Sequence, residues 1–90
     1  MRPLELIPDI SCCIETTAKR EYEEVVAEYL GRKDVDAVLE EKIEILCTFL
    51  QSADFRELRR ESERHLTQGR KVKFLLHPGG EKLHYEMLVE

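Results

Sequence analysis

Apolar residues recur with helical spacing through residues 34–51, and this run is the most clearly patterned stretch of the chain. On a wheel of 3.6 residues per turn, its apolar side chains share one broad face, and its polar, mostly acidic side chains share the other. The apolar face consists of Val35, Val38, Leu39, Ile43, Ile45, Leu46, Phe49 and Leu50. A face this wide needs more than one neighbour, which is typical of the central helix of a small domain.

A second helix is predicted before this central one. An apolar stripe with the same spacing covers residues 17–30, and Thr16 or Thr17 can cap its beginning. Gly31 follows directly, where the end of a helix favours a residue in the left-handed conformation.

The caps of the remaining helices can also be predicted. Asp34 is expected to cap the central helix. Asp54 and Glu57 have the spacing of a capping box, which predicts a third helix that runs to about residue 68 and is closed by Gly69.

Near the C-terminus the apolar period changes from 3.6 to 2, which is typical of strands. Residues 72–76 and 83–89 alternate between apolar and polar side chains, and two glycines lie between them. A two-residue Gly79-Gly80 turn places Pro78 opposite Glu81 and predicts a β-hairpin of fixed register. The resulting pairs are Val72 with Met87, Phe74 with Tyr85, Leu76 with Leu83, and Lys73 with Glu86.

The first residues alternate as well, but less regularly. Pro3 and Pro8 exclude a regular central strand here, so residues 1–15 are expected to form an extended arm. A short edge strand over residues 10–14 is the alternative to a plain loop.

Together these elements predict an α+β fold of two layers, with three helices packed on a C-terminal antiparallel β-hairpin. The order is (β)-α-α-α-β-β, where the first strand would come from the arm. We interpret residues 1–90 as one domain, with the arm at 1–15, the helices within 17–68 and the hairpin at 71–90.

Composition and charge narrow the function classes. The formal net charge is −5, which disfavours nucleic acid and anionic membranes as general partners. No apolar run approaches the roughly 20 residues of a membrane span, and the N-terminus does not resemble a secretory signal. The three cysteines include an adjacent pair, which fits no disulfide framework. Reduced thiols and a cytoplasmic location are therefore expected.

Association is the function that the sequence favours most. If the hairpin buries Val72, Phe74 and Leu76 on the helices, Leu75 and Leu88 point outward with His84 nearby. Large apolar side chains beside unpaired strand edges need a cover. That cover can be the arm, a protein partner or a second copy of the chain. We expect a small interaction module that forms a homodimer through the hairpin.

Nucleic-acid binding is the alternative. Residues 1–55 carry 6 basic and 13 acidic side chains, whereas residues 56–90 carry 8 basic and 6 acidic ones. The candidate phosphate contacts are Arg56, Arg60, Arg64, Arg70 and Lys73. Three helices followed by a hairpin also occur in winged-helix domains. Interleaved glutamates and the net negative charge favour a solvated surface instead.

Metal binding and catalysis have weaker support. In the predicted register His77 and His84 are diagonal neighbours, but Cys12-Cys13 lacks the gap of a zinc-binding pair. No phosphate loop, dinucleotide fingerprint or nucleophile–base arrangement is recognisable. We therefore expect no metal, no cofactor, no small-molecule ligand and no enzymatic activity.

Overall fold

Three helices cover one face of a three-stranded antiparallel sheet in the computed structural model, which describes residues 3–77 and 84–90. The strands lie in the order β1-β2-β3. The elements are β1 (Leu4–Leu6), α1 (Ile14–Leu30), α2 (Ala37–Ser52), α3 (Phe55–Leu66), β2 (Val72–His77) and β3 (His84–Val89). The predicted α+β class and element order are confirmed.

Helix α1 ends at Leu30 as predicted but begins three residues before the predicted start. Its N-cap is Cys13, because the Thr17 amide already donates to the Cys13 carbonyl and closes the first turn there. The prediction for Gly31 was wrong. Gly31 has a φ of −82° and a right-handed conformation, with its amide bonded to the last carbonyls of α1.

The N-cap of α2 is Asp36 and not Asp34. The Asp36 carboxylate accepts hydrogen bonds from the amides of Val38 and Leu39, so the helix begins two residues later than predicted. As a consequence Val35 precedes the helix and is 77% exposed, although its spacing had placed it on the buried face.

Helix α3 begins and ends close to the predicted residues. Asp54 is its N-cap and accepts a hydrogen bond from the Glu57 amide at 3.2 Å. The last helical residue is Leu66, and Gly69 follows with a φ of +77°, a conformation that glycine adopts without strain.

The N-terminal arm supplies a strand, but not the predicted one. Residues 10–14 hold a turn closed by Asp9 and Cys12, and then the start of α1. The strand is β1, which pairs antiparallel with β2 so that Leu4 faces Leu76 and Leu6 faces Phe74. The arm therefore covers the edge of β2 that the hairpin leaves open.

The hairpin is confirmed, but its predicted register was wrong by two residues. Val72 faces Val89, Phe74 faces Met87, and Leu76 faces Tyr85. A shift by two residues keeps every side chain on its predicted face, because side chains alternate with period two. The predicted turn at Pro78 to Glu81 lies outside the described residues.

The core lies between the helices and the sheet. Its fully buried side chains come from every element except α3 and β3, and the largest are Phe49, Phe74, Leu6, Ile14, Leu46, Leu76 and Val72. The ring of Phe49 in α2 contacts Phe55 and Tyr85 edge to face, each at 5.3 Å between centroids. Among the described residues, no helix has the length and hydropathy needed to cross a membrane.

Candidate interaction surface

Strand β3 is the most exposed regular element of the fold. It is an edge strand of the sheet, and all its residues except the half-buried Met87 are exposed. Tyr85 and Val89 belong to the side that faces the helices, yet each is 39% exposed, so the helical layer does not reach fully over this strand. An apolar strand with an open edge is a natural place for another chain to pair.

The face of the sheet that points away from the helices, here called the open sheet face, collects the three residues predicted for association. Leu75 lies on β2, and His84 and Leu88 lie on β3 as its diagonal neighbours across the strand pair. Leu88 is 41% exposed, whereas Leu75 is half-buried between its neighbours. The arm does not cover Leu88, because β1 pairs with β2 at the far edge.

Polar side chains surround these leucines in cross-strand pairs. Lys73 Nζ lies 3.6 Å from Glu5 Oε1, across the β1–β2 pair. His77 Nε2 lies 3.2 Å from Glu86 Oε1. The predicted Lys73–Glu86 pair was therefore wrong, since the two-residue shift gives each of them another partner.

The two histidines are direct cross-strand partners and not diagonal neighbours as predicted. Within residues 3–77 and 84–90, however, no three His, Cys, Asp or Glu side chains come together in a way that could hold a metal ion.

The residues proposed for nucleic-acid binding are divided between two parts of the molecule. Arg56, Arg60 and Arg64 are exposed on α3. Lys73 lies on the open sheet face, on the side of the sheet away from α3. Arg70 follows α3, where its guanidinium lies 3.0 Å from His65 Nδ1. These groups do not form one continuous basic surface.

A groove that the sequence did not reveal lies between the beginning of α1 and the beginning of α3. It has a volume of about 510 Å³ and is lined by Cys13, Glu15, Phe55, Arg56, Arg59, Arg60 and Glu63. Two of its arginines are paired, Arg59 with Glu63 at 2.9 Å and Arg60 with Glu57 at 3.6 Å. Its charges are therefore mixed and largely balanced.

Cys13 is the chemically distinctive group of this groove. Its Sγ lies 3.3 Å from Thr16 Oγ1. Hydrogen bonds from the Thr16 hydroxyl and backbone amide, aided by the charge of Arg59, lower the pKa of the Cys13 thiol below its ordinary value. The signal in the sequence was the Cys12-Cys13 pair just before an apolar stripe, but it could be recognised only once the helix start was known. All three cysteines are free.

Comparison with known proteins identifies a family but gives no function. A protein-family model matches residues 2–90, almost the entire chain. The chain belongs to this family. It is also similar to an uncharacterised protein of Archaeoglobus fulgidus, with 50% identity over 50 residues. That match covers 53% of this chain and 59% of the relative, so the chain spans little more than half the relative's length. No solved structure matches.

Proposed function

We propose that this family member is a small cytoplasmic interaction module that acts by binding, and that it associates with a second copy of itself through the hairpin. The observation that carries the proposal is the open edge of β3. Within residues 3–77 and 84–90 no strand pairs with the outer edge of β3, and Tyr85, Leu88 and Val89 are exposed on this strand. Three free cysteines support a reducing compartment.

The two edges of the sheet support this choice because they differ in how they are protected. β1 has only three residues and is flanked by Pro3 and Pro8, which block further pairing. β3 has six residues, HYEMLV, without proline, glycine or lysine. Natural sheets usually protect an edge of this length, so its exposure favours a partner strand.

The first test compares oligomeric states by light scattering. We expect the wild type to approach twice its monomer mass of 10.6 kDa as its concentration rises. Leu88→Glu should remain monomeric, because it places a charge on the exposed side of β3. The fold should tolerate it, since Lys73 lies directly opposite. Val35→Glu is the matched control, because it adds the same charge at an exposed residue outside the sheet. A wild type that remains monomeric at millimolar concentration would contradict the proposal.

Nucleic-acid binding by the arginines of α3 remains the alternative and has less support. Arg60 is paired with Glu57, and Lys73 lies in a different part of the surface. The alternative requires salt-sensitive binding of micromolar protein to labelled duplex at low salt, because phosphate contacts would appear there first.

A further inference from the structure

The direction of the backbone groups of β3 can be derived from one hydrogen-bonded pair. Lys71 and Glu90 lie opposite each other and exchange both amide–carbonyl hydrogen bonds, at 3.1 and 2.9 Å. Such pairs alternate along an antiparallel ladder. Because the register is continuous, His84, Glu86 and Leu88 also bond to β2.

The residues between them therefore direct their backbone groups away from β2. The amides and carbonyls of Tyr85, Met87 and Val89 point to the open edge. A second strand can pair only with these three residues. That requirement restricts the registers in which β3 can meet a copy of itself about a two-fold axis.

Only two such antiparallel registers use five of the six residues of β3. One places Glu86 opposite the partner's Glu86, in a pair whose Cα atoms would lie about 4.5 Å apart. Two like charges directly opposite are destabilising. The other places Met87 opposite the partner's Met87, Tyr85 opposite the partner's Val89, and Glu86 opposite the partner's Leu88.

The second register is favoured by charge as well as by hydrogen bonding. It avoids the pair of like charges at Glu86, and it brings His84 opposite the partner's Glu90, where the imidazole can donate a hydrogen bond to the carboxylate. All three outward-directed residues of each copy would also find hydrogen-bonding partners within β3. The exposed rings and branches of Tyr85 and Val89 would cover one another, one pair on each side of the axis.

We infer that two copies of this chain join β3 to β3 antiparallel with Met87 on the two-fold axis, which forms a continuous six-stranded sheet. This inference rests on the proposed self-association and specifies its geometry. The resulting strand order is β1-β2-β3 followed by the partner's β3-β2-β1. The short, proline-flanked β1 strands become the two outer edges, so both long apolar edges are removed.

A pair of cysteine variants tests the register. The native thiols are first removed by the substitutions Cys12→Ser, Cys13→Ser and Cys47→Ala. Into this background we introduce either Met87→Cys or Glu86→Cys. Under mild oxidation Met87→Cys should form a covalent dimer, because its Cα would lie about 5.5 Å from the same atom in the partner. Glu86→Cys should not form a covalent dimer, because the Cα atoms of the two introduced cysteines would lie roughly 8 Å apart.

The unmodified protein provides an independent readout by amide hydrogen exchange. Protection of the Tyr85, Met87 and Val89 amides should increase with protein concentration, whereas the amides of Glu86 and Leu88 are already bonded to β2. A dimer whose outward amides remain unprotected would overturn the inference, even if the cysteine variants do not fold.

The outcomes of these experiments distinguish a wrong register from a failure of self-association. Efficient cross-linking at Glu86→Cys but not at Met87→Cys would overturn the register and leave self-association standing. A wild-type dimer that neither variant cross-links would overturn the inferred register as well. A wild type that is monomeric throughout would remove both.

Discussion

The position of Cys13 at the start of a helix lowers the pKa of its thiol. It is the N-cap of α1, next to a first turn whose Thr16 hydroxyl and amide are directed at its sulfur. These hydrogen bonds favour the thiolate over the thiol, and the thiolate is the nucleophile.

We therefore expect Cys13 to be alkylated by iodoacetamide at lower pH than the cysteine of a short unstructured peptide. A lower pKa means that a larger fraction of Cys13 is thiolate near pH 7–8. Thr16→Val removes the largest cause of the shift, so the alkylation midpoint of Cys13 should move to higher pH. Mass spectrometry of each cysteine-containing peptide across a pH series gives both midpoints.

The matched control is Thr48→Val, which alters an exposed threonine of α2 whose hydroxyl bonds only to its own helix. It should leave the Cys13 midpoint unchanged. A wild-type Cys13 midpoint equal to that of the cysteine in the short peptide would show that the first turn of α1 does not activate the thiol.

At the scale of elements, α2 depends on a cap that the sequence pattern placed two residues too early. Asp34 and Asp36 are both good N-cap residues, and propensity does not distinguish between them. The structure distinguishes between them, because only the Asp36 carboxylate accepts hydrogen bonds from the amides of Val38 and Leu39.

Asp36→Ala should lower the free energy of unfolding by about 1 kcal/mol, because two amides at the start of α2 lose their acceptor. Asp34→Ala is the control and should change the free energy of unfolding by less than about 0.5 kcal/mol, as surface substitutions usually do. Urea denaturation followed by circular dichroism measures both. Equal effects of the two substitutions would contradict the assignment of the cap.

The strengths and failures of sequence-based prediction follow from the same local physics. The number, type and order of the later elements could be predicted, since the periods of 3.6 and 2 differ clearly. Details set by one hydrogen bond could not, such as the caps of α1 and α2. The register of the hairpin could not either, because a two-residue slip preserves every buried face. Leu75, His84 and Leu88 therefore lie together on the open sheet face, although the predicted cross-strand pairs of the hairpin were wrong.

The groove beside Cys13 was beyond prediction for a different reason. Its walls come from the start of α1 and from one side of α3, and these two helices begin about forty residues apart in the chain. Nothing in either stretch alone indicates that they meet. The free backbone groups of β3 likewise became visible only when the ladder with β2 was known.

At the scale of the whole molecule, self-association should appear as stability that depends on concentration. A dimer that forms only from folded chains stabilises the folded state by mass action, by about 2.7 kcal/mol when the partner is at 100 times the Kd. For a domain of this size, that corresponds to a rise in Tm of roughly 10–20 °C.

We expect the Tm of the wild type to rise when its concentration increases from about 1 to several hundred µM, and the Tm of Leu88→Glu to stay constant. Differential scanning calorimetry at both concentrations makes the comparison. If the Tm values of wild type and Leu88→Glu respond equally to concentration, the hairpin is not the surface that associates.

The pairing of β1 with β2 also has a consequence for synthesis of the chain. Leu4, Glu5 and Leu6 leave the ribosome before their partners Phe74, Leu75 and Leu76, which follow about seventy residues later. The helices can form from local contacts while the chain is still growing, whereas closing such a long loop is slow. Strand β1 therefore stays unpaired, with its leucines uncovered, until β2 has been made. During that interval this apolar segment is a natural binding site for chaperones.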